Sequence, residues 1–492
     1  LEEKMKKRFV IILLVLAAVF AAFARADKQK DAYEALKPLM EVYAIIQENY
    51  VDEGKADPKD LATNAIKGMV TGLDPFSQYL DQQAYKDMND DTHAQFGGLG
   101  IEIAVKDGQL MVVAPIEDTP AYTAGIKAGD KIMMIEGDTT DGMDVNDAVH
   151  KLRGEPGTKV TISVQRGNVA DYKDFTITRA IIKIETARYN TIGEDVGYIR
   201  INEFMGDASD IVEKGLKEFK KDKIKKLIID LRDDPGGLLD QAVQISDMFL
   251  PKNTLIVYTE GRAKTKGMEF KSEKGEQFKG DIVVMINRGS ASASEILSGA
   301  LQDNNRAIIT GTQSFGKGSV QTIIPLSDKS ALRLTTARYM TPKGRSIHGV
   351  GITPDIVMEE QIPTTYTTAL YEKNIFEDFA AEYLKKHPEG IDTKKKDVVK
   401  VSESDIKVLF KKDEDEKLLD DFIKYLKEKK EDVKLQEIVM DKDSILKWIK
   451  TEVAMKLKGR TASRKAAIEN DSQVKRAIDI LNTMGKLKET KS

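Results

Sequence analysis

Between Asn287 and Gln321 the chain reads N-R-G-S-A-S-A-S-E-I-L-S-G-A-L-Q-D-N-N-R-A-I-I-T-G-T-Q-S-F-G-K-G-S-V-Q, and few local structures accommodate that text. The apolar run Asp281–Ile286 before it predicts a buried strand. Asn287-Arg288-Gly289 breaks the run. Ser292 stands three residues before Glu295, the spacing of a capping box, and predicts a helix to about Gln302. Arg306–Thr310 reads as a second strand, and Gly311, Gly316 and Gly318 punctuate a loop that carries Lys317. The unit is therefore strand, helix, strand, with a serine at the helix start and a lysine on a glycine-rich loop.

Three chemistries compete for it. A capped helix followed by an ordinary loop is the plainest. Gly311–Lys317 also satisfies the glycine-lysine spacing of a phosphate loop, but Gly318 stands where a magnesium-binding hydroxyl is required. Leu227-Ile228-Ile229-Asp230 imitates the matching magnesium strand, yet it precedes the loop. The third is a nucleophilic serine with a lysine base. A serine hydroxyl needs such a base, and lysine serves only when uncharged, which burial favours. A helix N-terminus also aims main-chain N–H groups near the hydroxyl, where an oxyanion would form.

G-S-A-S-A-S-E-I followed by S-F-G-K-G-S-V-Q resembles the signature of the carboxyl-terminal processing proteases, the tail-specific Ser/Lys peptidases of family S41. In that family the nucleophile is the serine of the first A-S after the glycine, and the base lies 25 residues on. The resemblance thus selects Ser292 and Lys317; the residues alone do not choose Ser292 over Ser290 or Ser294. A helper residue four after the lysine corresponds to Gln321. The segment Arg232-Asp233-Asp234-Pro235-Gly236-Gly237-Leu238 resembles the family's L-R-x-N-P-G-G text, with Asp234 in place of Asn. By that resemblance the N–H groups of Gly237 and Ala293 form the oxyanion hole.

Residues 96–179 alternate strand patterns and turns. "GGLGIEI", "AGIKAGDKIMMIEG" and "LRGEPGTKVTISVQR" are similar to a PDZ domain. The resemblance implies that a peptide tail adds to the edge strand Leu99–Ala104. Its carboxylate would sit on the N–H groups of Gly98, Leu99 and Gly100, with Ile101 on the same strand. Helix Val145–Leu152 would wall the side-chain pocket through Val149 and Leu152. Arg153 is either a coupling residue or a surface charge. "ENYVD" and "GLDPFSQYL" resemble the family's N-terminal segment, which contributes to dimerisation in relatives.

Composition narrows the alternatives. The 492 residues suffice for three or four domains, and 41% hydrophobic with 32% charged residues describes globular domains with a well-solvated surface. A net charge of −4 gives no bias towards nucleic acid. With no cysteine, disulfides, thiol nucleophiles and Cys-based metal sites are excluded. The four histidines have no zinc-ligand spacing, and His348 reads as structural. No metal or cofactor is expected.

Lys4, Lys6, Lys7 and Arg8 precede the apolar run Phe9–Phe23, and Ala24-Arg25-Ala26 follows. This pattern describes a secretory signal peptide. A run of 15 residues is short for a spanning helix, which needs about 20, although an uncleaved anchor is the alternative. Amphipathic helices are predicted over Ala32–Asn49 and Pro58–Thr71. Beyond Met358, Lys, Glu and Asp dominate around helical stripes such as Phe376, Phe379, Ala380, Tyr383, Leu384 and Leu418, Leu419, Phe422, Ile423, Leu426. These charge runs read as solvated helix faces, with dimerisation or substrate gating as the alternative.

The expected organisation is a signal peptide (1–26), an N-terminal helical region (27–91), a PDZ domain (92–180), a Ser/Lys protease domain (181–358) and a charged helical C-terminal region (359–492). The fold class is α/β: a crotonase/Clp-peptidase-like core with an inserted, mostly β PDZ domain. The expected function is an exported, periplasmic serine endopeptidase that binds unstructured C-terminal tails of proteins and assembles as a homodimer or larger homo-oligomer. An inactive relative serving as a PDZ scaffold is the competing class.

Overall fold

The structure, a computed structural model, describes residues 33–387 and 415–489, apart from short breaks at 93–94, 107, 117–118, 128, 167–171 and 263–265. The signal segment lies outside the described residues. The chain forms two compact units. Residues up to Gln83 join Gln321–Thr335 in one, and the remainder makes the other.

In the smaller unit, residues 33–49 and Pro58–Thr71 are helical. Asp57 caps the second helix by accepting the N–H groups of Lys59 and Asp60, with Pro58 at the first helical position. Gln78–Leu80 pairs antiparallel with Ala331–Arg333. This pairing draws a segment distant in the text into the N-terminal unit, which a reading of local periodicity does not reveal.

The larger unit is built on a six-stranded sheet in which the chain order is also the spatial order. Its strands are β1 (Ala187–Ile192), β2 (Val196–Ile201), β3 (Lys226–Asp230), β4 (Asp281–Ile286), β5 (Ile308–Gly311) and β6 (Ile356–Val357). β1 and β2 are antiparallel; every later pairing is parallel. Alternation along the inner strands sends side chains to two apolar layers. Leu227, Ile229, Ile282, Val284 and Ile286 face helices α1 (Ala208–Lys221), α2 (Leu239–Asp247) and α3 (Ala293–Asp303). Ile228, Val283 and Met285 face the last helix, α4 (Ser472–Glu489), through Val474, Ala477 and Leu481. The charged C-terminal region is thus more than solvated helices: its final helix covers one side of the central sheet.

The rest of that region has its own core. Phe376 stacks on Phe422 with ring centres 5.2 Å apart, and Trp448 and Phe379 close around them at 5.1 Å each. The predicted stripe residues Phe376, Phe379, Leu418, Leu419, Phe422 and Leu426 are all buried there.

Strands Ile101–Lys106, Gln109–Pro115, Lys131–Ile135, Lys159–Gln165 and Lys173–Thr178 form the predicted antiparallel β module. Val160, Ile162 and Val164 alternate inward in the manner of a half-buried strand. Two details differ from the sequence reading. The strand predicted from Leu99 begins at Ile101, because Leu99 turns its side chain into the core and its carbonyl accepts the Ala121 N–H. Gly100 takes φ +75° there, and a Cβ would stand 2.3 Å from Thr119 Cβ, so glycine is required. Leu152, expected to wall a pocket, is instead a core residue, 5% exposed.

Candidate active site

β4 delivers the chain to Asn287, and the break after it is built by side chains. Asn287 Oδ1 accepts the N–H groups of Asp233 and Gly289, while its N–H donates to Ser290 Oγ at 2.9 Å. Ser290 in turn donates to the Leu231 carbonyl at 2.7 Å. Ser294 Oγ donates to the Asp234 carbonyl at 3.1 Å. Two of the three clustered serines are therefore fully buried donors that pin the turn to the end of β3. Ser292 is partly exposed, and its hydroxyl donates to no main-chain carbonyl among the described residues. Its backbone is strained, with φ 53° and ψ −110°. Such a conformation costs on the order of 1–3 kcal/mol and persists only where surrounding bonds enforce it.

Those bonds converge on Glu295, whose side chain is buried. Its Oε2 accepts the Ser292 N–H at 2.8 Å, the carboxylate half of the predicted capping box. The same oxygen accepts the Lys317 N–H, also at 2.8 Å, so the two main-chain nitrogens lie within twice that distance of each other. Oε1 accepts Ser314 Oγ at 2.6 Å and the Gly316 N–H at 2.7 Å. The Phe315 N–H adds a bond to the Ser290 carbonyl at 3.0 Å. One carboxylate thus fastens the lysine loop to the serine turn. Burial pushes the Glu295 carboxyl up, and its four hydrogen bonds work against that rise.

A second loop closes over the serine. After β3, Asp233 and the two glycines Gly236 (φ +100°) and Gly237 (φ +146°) reverse the chain. A Cβ on Gly236 would stand 2.8 Å from Ser292 Cβ and from the Ala293 nitrogen. Glycine is what allows this main chain to lie against the serine. The Gly237 and Ala293 N–H groups have no acceptor among the described residues. Asp234 is fully buried, and its Oδ1 accepts the Gly236 N–H at 2.9 Å.

Beneath this loop lies an ionic network. Burial disfavours ionisation of Asp230, but the Arg232 guanidinium outweighs it and holds the carboxyl below the usual range, with Arg200 and the Tyr198 hydroxyl assisting. Arg232 also reaches Asp471 and Gln473 just before and within α4. Among the described residues, the hydrogen bonds Asp230 accepts come from Tyr198, Arg200 and Arg232.

The remaining predicted residues are distributed as follows. Gln321 falls in the smaller unit, where its Nε2 donates to Thr335 Oγ1 at 2.8 Å. Gly98 pairs with Ala180 in a two-stranded ribbon, Ile101 opens the edge strand, and Val149 is half-buried on its helix. Arg153 lies over the Phe96 ring at 4.2 Å. No cluster of metal-ligating side chains occurs among the described residues. Glu295 as a joint between two loops, and Asp471 as a partner of Arg232, escaped the sequence reading. The capping-box spacing singled out Glu295 for only one of its duties, and nothing in the text links Asp471 to Arg232.

Comparison with known proteins gives a consistent picture. The profile of peptidase family S41 matches residues 195–358, a PDZ domain profile matches 97–177, and the profile of the activating protease CtpB N-terminal domain matches 18–84. A carboxy-terminal-processing protease of Bartonella bacilliformis is 44% identical over 361 residues, covering 72% of this chain and 82% of that protein. A probable CtpA-like serine protease of Staphylococcus saprophyticus is 35% identical over 367 residues, covering 72% and 74%. Among solved structures, a photosystem II D1 C-terminal processing protease aligns at 26% identity and TM-score 0.42, over 65% of this chain and 92% of that one.

Proposed function

This chain belongs to peptidase family S41, among the carboxy-terminal-processing proteases with a PDZ domain, and on that premise we propose that it is an exported serine endopeptidase working through a Ser292/Lys317 dyad. The supporting observation is the shared Glu295 oxygen that fastens the main chains of both residues. In this reading the uncharged Lys317 amine takes the Ser292 proton as Oγ attacks a peptide carbonyl. The Gly237 and Ala293 N–H groups, unclaimed within the described protein, receive the oxyanion. The tetrahedral species collapses to an acyl-enzyme as the protonated lysine gives its proton to the leaving amine. Water, deprotonated by the same lysine, then releases the acid and regenerates Ser292. Neither metal nor organic cofactor takes part.

The PDZ domain binds the unstructured C-terminal tail of a protein substrate at the edge of Ile101–Lys106. Basic residues, an apolar run and an A-x-A site direct export to the periplasm, with an uncleaved tether to the inner membrane as the variant form. The enzyme works as a homodimer or larger homo-oligomer and takes no nucleic acid.

Substitution tests the dyad. Ser292→Ala and Lys317→Ala each lower cleavage of an unstructured peptide by at least about a thousandfold. Lys317→Arg fails to rescue, because a guanidinium does not become neutral. Mass spectrometry of an acyl-enzyme trapped at Ser292 is the direct check. Proteolysis surviving in Ser292→Ala overturns the assignment.

A further inference from the structure

We propose that Asp234 is a positioning residue of the oxyanion loop that works only as the neutral acid, so that its ionisation closes the alkaline side of the enzyme's pH range. The inference rests on the reading of Ser292 as nucleophile.

The geometry carries it. Asp234 is fully buried between β3 and the Gly236-Gly237 turn. Its side-chain Oδ1 accepts the Gly236 N–H at 2.9 Å and so sets the turn that orients the next N–H, that of Gly237. Its main-chain oxygen accepts the Ala291 N–H at 2.9 Å and the Ser294 hydroxyl at 3.1 Å, one on each side of Ser292. One residue therefore ties both halves of the proposed oxyanion hole together. Gly236 lies so close to Ser292 Cβ and the Ala293 nitrogen that a shift of the turn must pass to the nucleophile.

The other carboxyl oxygen, Oδ2, is buried with no hydrogen-bond partner. A carboxylate in that position would bury a charge on the Gly236 N–H and the Ser294 hydroxyl alone, an unfavourable state. The charged groups around it do not relieve this. Arg200 on β2 is the favourable one, but its guanidinium donates to Asp230 at 2.9 Å. Glu203, after β2, opposes ionisation. Arg232 is turned towards Asp230 and Asp471. From α3 only the neutral Ser294 hydroxyl reaches Asp234, since Glu295 faces the lysine loop. Burial accordingly pushes the Asp234 carboxyl up to about 8, with the Gly236 N–H, the Ser294 hydroxyl and the Arg200 charge opposing the rise. Above that point the loop holds a negative charge beside the place where the substrate carbonyl oxygen becomes negative. Like charge there raises the barrier.

The test is the pH dependence of kcat on the full chain, from about pH 6 to about pH 10. Wild type is expected to fall on the alkaline side with a midpoint of about 8. Asp234→Asn keeps the shape and the acceptor oxygen but cannot ionise. It is expected to lose the alkaline limb, so that its activity relative to wild type rises about tenfold between about pH 7 and about pH 9. Asp234→Ala, lacking the acceptor, loses activity at every pH. A limb that survives in Asp234→Asn overturns the proposal. Should that variant not fold, the wild-type profile decides: no fall above about pH 8, with circular dichroism unchanged, also overturns it. Ser292→Ala run in parallel separates the two claims. Cleavage surviving there removes the nucleophile, whereas an inert Ser292→Ala beside an unaltered limb in Asp234→Asn removes only the role of Asp234.

Discussion

Glu295 shows how much a single side chain can decide. Its four hydrogen bonds set the serine turn against the lysine loop, and charge-assisted bonds of this kind contribute about 1.5–3 kcal/mol each. Glu295→Gln keeps the volume but replaces one acceptor oxygen with a donor that faces other donors. We expect kcat to fall about a hundredfold through misplacement, with KM little changed, in steady-state kinetics. Asp234 makes a stability prediction as well. Its native carboxyl titrates near 8 against an ordinary 3.8, so the folded chain keeps a proton that the unfolded chain releases. Stability therefore declines as pH rises through that window and levels off above it. Asp234→Asn should unfold at the same temperature as wild type near about pH 4 and at a higher one at about pH 8, measured by thermal scanning.

Among the elements, β3 and α4 matter most for the site. β3 alternates Leu227 and Ile229 to one layer and Ile228 and Asp230 to the other, and then runs into the Gly236-Gly237 loop. α4 covers the second layer with Val474, Ala477 and Leu481. The C-terminal region, dense in charge, hides this short apolar stripe among lysines and glutamates. Leu481 is 0% exposed. Leu481→Ala should cost about 2–5 kcal/mol, read from the shift of the urea midpoint.

At the scale of the whole molecule, the proposed reading gives recognition to the PDZ domain and chemistry to the peptidase domain. Full-length Ser292→Ala should therefore bind a fluorescent peptide tail with a Kd within about twofold of wild type, by polarisation, while cleaving none. A large loss of binding would mean that the serine turn takes part in tail recognition.

Much of this molecule is legible in its text. The strand Asp281–Ile286 and the helices Pro58–Thr71 and Val145–Leu152 run between the residues that periodicity and turn chemistry mark. These elements are local: their pattern of burial is written in neighbouring residues. The Ser292 and Lys317 motifs stand in the sequence too, although only a family resemblance picks that serine from its neighbours. Tertiary structure alone decides that Ser290 and Ser294 are buried struts and that Glu295 binds two loops. It alone brings Asp471 to Arg232 and leaves Asp234 with a bare oxygen. Each of these depends on which distant segments meet, and on whether water remains between them once they do. Spacing along a chain encodes neither quantity.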